Sequence, residues 1–209
     1  MKCRYYIAGL VAVALVVTVA WSQRYRVLPA PILSVGLNES YSDIVNGSTY
    51  AVVKHSMPPG GTHGFGAVWI DAPAARIRFN DLQHGFTLPP TKFAMVTLID
   101  GTVTTITTSP MLDALPFDDA IALVNRLQTD FRRAGWEPVE ATDERATSWF
   151  DTSSPAGLAE LRRGSTRSLV VRNKYEINFN FKCWDNCIPA PNKKSVYLID
   201  VGIGQDFTK

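Results

Sequence analysis

Cysteine and histidine are scarce, three of each in 209 residues, and their placement is poor for metal chemistry. Cys183 and Cys187 make a pair, but two thiolates do not complete a tetrahedron and no histidine lies near them. Their C-x₃-C spacing is also not the C-x-x-C of redox sites. His55, His63 and His84 are enough in number for zinc, yet their separations fit no common metal motif and no carboxylate joins them at helical spacing. No metal or other cofactor is therefore expected. A Gly-x-Ser-x-Gly nucleophile elbow is absent. The glycine-rich stretch 60–66 can expose backbone N–H groups to an anion, but it lacks the Lys-Ser/Thr ending of a phosphate loop and opens no helix, so it reads as a turn.

Positive charge is also missing where it would count. Lys2, Arg4, Arg24 and Arg26 precede Val27 and no acid does, so the other 17 basic residues face 19 acidic ones. A chain without a basic excess in its folded part is a poor candidate for nucleic acid. The early basic residues instead bracket the one long uncharged apolar run, residues 5–21. As a helix this run spans about 26 Å, close to the hydrocarbon core of a bilayer. Tyr5, Tyr6 and Trp21 stand at its ends as interfacial aromatics do. The expectation is a cytoplasmic N-terminus (1–4), a retained transmembrane anchor (5–21), a Pro29/Pro31-stiffened linker (22–40) and an exported domain (41–209). The competing reading is a signal peptide cleaved after Ser22; the run is longer than the usual h-region, which favours the anchor. Asn38-Glu39-Ser40 and Asn46-Gly47-Ser48 match the glycosylation sequon. The short basic N-terminus reads as bacterial, where these are chance matches.

The clearest local pattern is a hairpin feeding a helix. Residues 93–99 and 102–108 are strand-like around Asp100-Gly101, a two-residue turn that tolerates positive φ. Leu115-Pro116 then opens a helix whose Phe117, Ala120, Ile121, Val124, Leu127, Phe131 and Ala134 share one face, with Leu123 at its edge. Asp118 and Asp119 at the start and Arg132 and Arg133 at the end suit the macrodipole, and Gly135 supplies the stop. Gln128 intrudes into the apolar sector. Either its amide rises to solvent at the margin or it makes a polar contact under a surface.

Shorter signals surround this unit. Residues 50–53, 67–70 and 76–79 read as strands, the last two joined through Asp71-Ala72-Pro73. Ser153-Ser154-Pro155 announces a helix over 156–163, stopped by Gly164. Leu169, Val171, Tyr175, Ile177, Phe179 and Phe181 share one parity and polar residues the other, a period of two that marks a strand with one buried face. A strand of that length needs a bulge or bend near Asn173-Lys174. Residues 195–203 read as its antiparallel partner.

These elements predict an α+β fold, an antiparallel sheet packed on one face by the single long helix of residues 116–134. In an exported protein Cys183 and Cys187 are expected to form a disulfide. That staple holds a hairpin tip bearing Trp184, Asp185 and Asn186, the leading binding residues. Trp184 alternatively folds back on the sheet. Trp149-Phe150 is a second aromatic candidate, either core or contact. With no catalytic constellation in view, the functional expectation is a non-catalytic, single-pass bacterial inner-membrane protein whose periplasmic domain binds a protein partner. An immunity-like protein masking a periplasmic toxin is the specific version. The alternative is a periplasmic metal-assisted hydrolase using the His55, His63 and His84 loops.

Overall fold

The computed structural model describes residues 29–60, 64–139, 148–185, 187 and 195–206. The apolar run 5–21 lies outside them, and among the described residues no helix is long and apolar enough to cross a membrane. The fold is α+β and mostly strand, with three α-helices beside a large antiparallel sheet and a small mixed one.

The fold starts earlier than the sequence suggested. Strand β1 (Ile32–Val35) occupies part of the stretch expected as linker, with Leu33 and Val35 fully buried. The prolines act only upstream, where the Pro31 carbonyl accepts from the Arg76 N–H at 2.8 Å. Helix α1 (Tyr41–Gly47) follows. The Ser40 hydroxyl accepts from the Asp43 N–H, and the Asp43 carboxylate accepts from the Ser40 N–H, a reciprocal cap. The strand expected at 50–53 is instead a 3₁₀ turn over Val52–His55. Strands β2 (Ser56–Met57), β3 (Gly66–Ile70), β4 (Ala75–Phe79) and β5 (Phe86–Thr91) come next. β3 and β4 are joined through Asp71-Ala72-Pro73, but the chain changes sheets there.

Strands β6 (Ala94–Ile99) and β7 (Thr102–Thr108) form the expected hairpin, with φ of 50° at Asp100 and 81° at Gly101. Both values are positive, as the primed turn that matches strand twist requires. After β8 (Leu115–Pro116), helix α2 (Phe117–Arg133) runs with Pro116 at its cap. It ends in a Schellman turn: Gly135 has φ 77°, its N–H reaches the Arg132 carbonyl, and the Trp136 N–H reaches Phe131. Strand β9 (Glu137–Pro138) and helix α3 (Pro155–Arg163) follow, α3 capped by Ser154 and closed at Gly164.

The long strand expected over 169–181 is a hairpin. β10 (Ser165–Val171) turns at Asn173, φ 61°, into β11 (Tyr175–Asp185). The register pairs Val171 with Tyr175 and Leu169 with Ile177. Partners therefore have the same parity, and the alternation passes through the reversal unbroken. Strand β12 (Val196–Gln205) pairs antiparallel with β11 as expected.

The large sheet runs β2-β3-β6-β7-β12-β11-β10-β9, with β8 also on β12; the small sheet is β1-β4-β5, with β1 parallel to β4. The expectation of one covering helix is corrected, because α2 is too narrow for nine strands. Its Phe131 ring meets Phe86 of β5 at 4.9 Å and Phe179 of β11 at 5.5 Å. Arg162 of α3 lies over Phe117. Leu33, Ile77 and Leu88 of the small sheet and Ile44 of α1 join Val96 and Ile106 of the large sheet in one core.

Candidate functional site

Among the described residues, the helices and the small sheet share one core with the large sheet, and its other face is left uncovered by them. One row crosses six strands of that face: Trp69, Met95, Thr107, Gly202, Asn178 and Ser168 are successive register partners. Gly202 and Gly204 put no side chain on the floor of β12. A shallow trough of about 500 Å³ results, lined by Ile99, Thr105, Thr107, Glu176 and Asn178 among others. At its β6 end Met95 and Ile99 are 40% and 49% exposed. The sequence signal of this surface is the alternation of Val201-Gly202-Ile203-Gly204, which leaves one face of β12 without side chains at Gly202 and Gly204.

The even-numbered residues of β11 continue this face to the hairpin tip. Lys182 forms an ion pair with Asp200, which also accepts from the Ser109 hydroxyl. Beyond Lys182 the β11–β12 register shifts: Cys183 faces Tyr197 and Asp185 faces Val196. Trp184 is the extra residue of this bulge, and bulges re-aim side chains at strand ends. Trp184 is 64% exposed, and the Cys183–Cys187 disulfide closes the loop around it. Trp184 therefore does not fold back on the sheet. Asp185 is exposed beside it, and Asn186 lies outside the described residues.

The second aromatic pair divides. Phe150 is only 4% exposed and stands edge-on to Phe179 at 5.0 Å, so it is a core residue and its candidacy as a surface contact is corrected. Trp149 is half-buried under the Arg132 guanidinium, 4.3 Å from the ring centroid. Gln128 does not rise to solvent. It is 3% exposed, its Oε1 accepts from the Phe150 N–H at 2.7 Å, and its Nε2 donates to the Phe150 carbonyl at 3.3 Å.

The two described histidines serve separate places. The Nδ1 of His55 meets Asp71 at 2.9 Å. The Nδ1 of His84 donates to the Ala134 carbonyl at 2.8 Å, at the end of α2. His63 lies outside the described residues, and among those described no three His, Cys, Asp or Glu side chains gather as a metal site.

The turn carrying His84 is latched to the large sheet. Tyr175 donates its hydroxyl to Asp81 at 2.9 Å, and the Trp136 indole N–H reaches the His84 carbonyl at 3.0 Å. Burial, then the bond to Asp81, pushes the Tyr175 hydroxyl up to about 12. Burial of Asp81 works to raise its carboxyl, but the His84 and Gln83 N–H groups and the Tyr175 hydroxyl outweigh it and hold it low. The Tyr175 contribution to stability is complete below the ordinary tyrosine range near 10 and is lost as pH rises through about 12. Absorbance titration at alkaline pH should show Tyr175 ionising late, as burial also makes Tyr50 do, and Asp81→Asn should lower Tyr175 while leaving Tyr50 where it is. A Tyr175→Phe chain should lose less stability across that interval than the native chain.

No protein-family model matches this chain, and neither does any curated protein or solved structure.

Proposed function

We propose that this chain is a non-catalytic binding protein, anchored in a bacterial inner membrane by residues 5–21, that holds a periplasmic protein partner on its open sheet face and hairpin tip. The observation that carries this reading is the exposed Trp184 on a disulfide-closed bulge. A large aromatic held in water is unfavourable by itself, and tryptophan is enriched among interface hot spots. The staple and the paired strands beneath it reduce the freedom lost on docking. Beside the tip lies a shallow, glycine-floored face of mixed character with exposed Met95 and Ile99 at its far side, which suits a broad protein surface better than a small ligand. An immunity-like role, masking a toxin that acts in the periplasm, is the specific form of the proposal.

The test is site-specific photocrosslinking in intact cells. A photoreactive phenylalanine derivative in place of Trp184 should give one discrete envelope adduct, and the same probe in place of the exposed Leu82, in the turn between β4 and β5, should not. No adduct from position 184 would overturn the reading. Against the partner so identified, Trp184→Ala should weaken binding by about 2 kcal/mol or more, with the melting temperature nearly unchanged. Full affinity in a destabilised variant would return Trp184 to a structural role.

A further inference from the structure

The cleft between the C-terminal half of α2 and the small sheet carries a basic excess. Its volume is about 400 Å³, and Arg76, Gln83, Thr87, Arg126, Asp130 and Arg133 line it. Three guanidinium groups meet one carboxylate there. Asp130 stands 3.9 Å from Arg126 and 3.8 Å from Arg133, longer than close charge-assisted bonds, and both arginine side chains are well exposed. A net positive cleft departs from a chain whose residues beyond Arg26 carry more acid than base.

We propose that this cleft seats anionic lipid headgroups of the membrane in which the chain is anchored; the inference rests on the anchor reading above. Its position supports that occupant. The Arg76 N–H bonds the Pro31 carbonyl, so the cleft stands where the chain arrives from the apolar run. Seven residues separate Trp21 from Pro29, and the eight Cα-to-Cα steps between them reach about 28 Å at most. The base of the domain is therefore tethered close to the bilayer surface. Arginine matches phosphate oxygens with two donors at once, and the attraction is confined to about a Debye length, so contact has to be close.

The orientation also fits. α2 begins beside the hairpin tip, where Pro116 pairs with Val196, and its last turns line the cleft, about 24 Å away along the helix. With the cleft on lipid, Trp184 stands near the other end of α2, at the end of the domain away from the membrane.

The experiment uses the full chain with Cys3→Ser and a fluorophore on Gln83→Cys, reconstituted in vesicles carrying a headgroup-region quencher. Quenching should be about threefold greater in phosphatidylcholine vesicles containing phosphatidylglycerol than in those without it. It should fall to the neutral-vesicle level in high salt, and likewise in Arg126→Gln/Arg133→Gln, a pair on the wet side of α2 whose loss leaves the core intact. Equal quenching in both lipids, or no change in the double variant, would overturn the proposal. So would loss of the effect when inorganic phosphate alone is added, since the cleft would then take a free anion. Flotation with neutral vesicles reads the anchor separately. If the chain fails to float there, flotation with the anionic vesicles decides the cleft: arginine-dependent binding supports it and no binding overturns it.

Discussion

Phe131→Ala is expected to remove about 3–5 kcal/mol of unfolding free energy, the range for deleting a fully buried aromatic. The ring has no exposed surface. It joins two layers, meeting Phe86 of the small sheet and Phe179 of the large one edge to face. Phe86 in turn contacts Phe79 and Trp136, so a cavity at 131 cannot close without moving an aromatic cluster. The Phe131 carbonyl, which the substitution keeps, receives the Trp136 N–H that closes the helix, so the expected loss is that of the ring alone. Arg126→Ala, on the opposite face, should cost no more than about 0.5 kcal/mol. Denaturant melts of the two variants compare them directly, and equal losses would mean that the phase of α2 is wrong.

Gln128→Leu is expected to cost about 2–4 kcal/mol although leucine suits a buried site by volume and polarity. The native amide completes a two-way bond with the main chain of Phe150, much as a neighbouring strand would. Leucine leaves a buried N–H and a buried carbonyl with no partner from α2, and each such group costs about 1–3 kcal/mol. The loss should appear in melts and as faster hydrogen exchange at the Phe150 amide. A neutral substitution with that amide still protected would show that another group satisfies it. The segment from Phe150 to Ser154 leads into α3, so loosening it should also weaken the ion pair of Arg167 with Glu160 at 2.9 Å.

These two residues show where reading the sequence succeeds and where it stops. Phe131 was placed on the core face by helical period alone, because 100° per residue fixes which side chains share a stripe. Gln128 sits in the same stripe, but whether its amide reaches water or a backbone depends on a segment 22 residues away. No local pattern carries that information.

Strand readings divide in the same way. Asp100-Gly101 specified its turn because few residue pairs tolerate two positive φ angles. The turn at Asn173 escaped notice because the alternation keeps its phase across the reversal, so one long strand and two paired strands look alike. β1 was hidden behind Pro29 and Pro31, whose breaking effect stops before Ile32. α1 is too short for periodicity, and its only mark was the Ser40–Asp43 cap. The candidate site was legible in part. Two cysteines four apart implied the disulfide, but the exposure of Trp184 needed the bulge, and the open face needed the whole strand order.

By itself the sequence determined the α+β class, the central hairpin and helix α2, the partnership of the last two long strands and the Cys183–Cys187 bond. All of these follow from local conformational preference, from periodicity or from short chain separation. Only the tertiary structure decided that the β3–β4 link changes sheets, that α2, α3, α1 and the small sheet share one side of the large sheet, and that Phe150 is core while Trp184 is surface. Those outcomes depend on which apolar faces meet across long separations, and that choice is made by the combined burial of the whole chain.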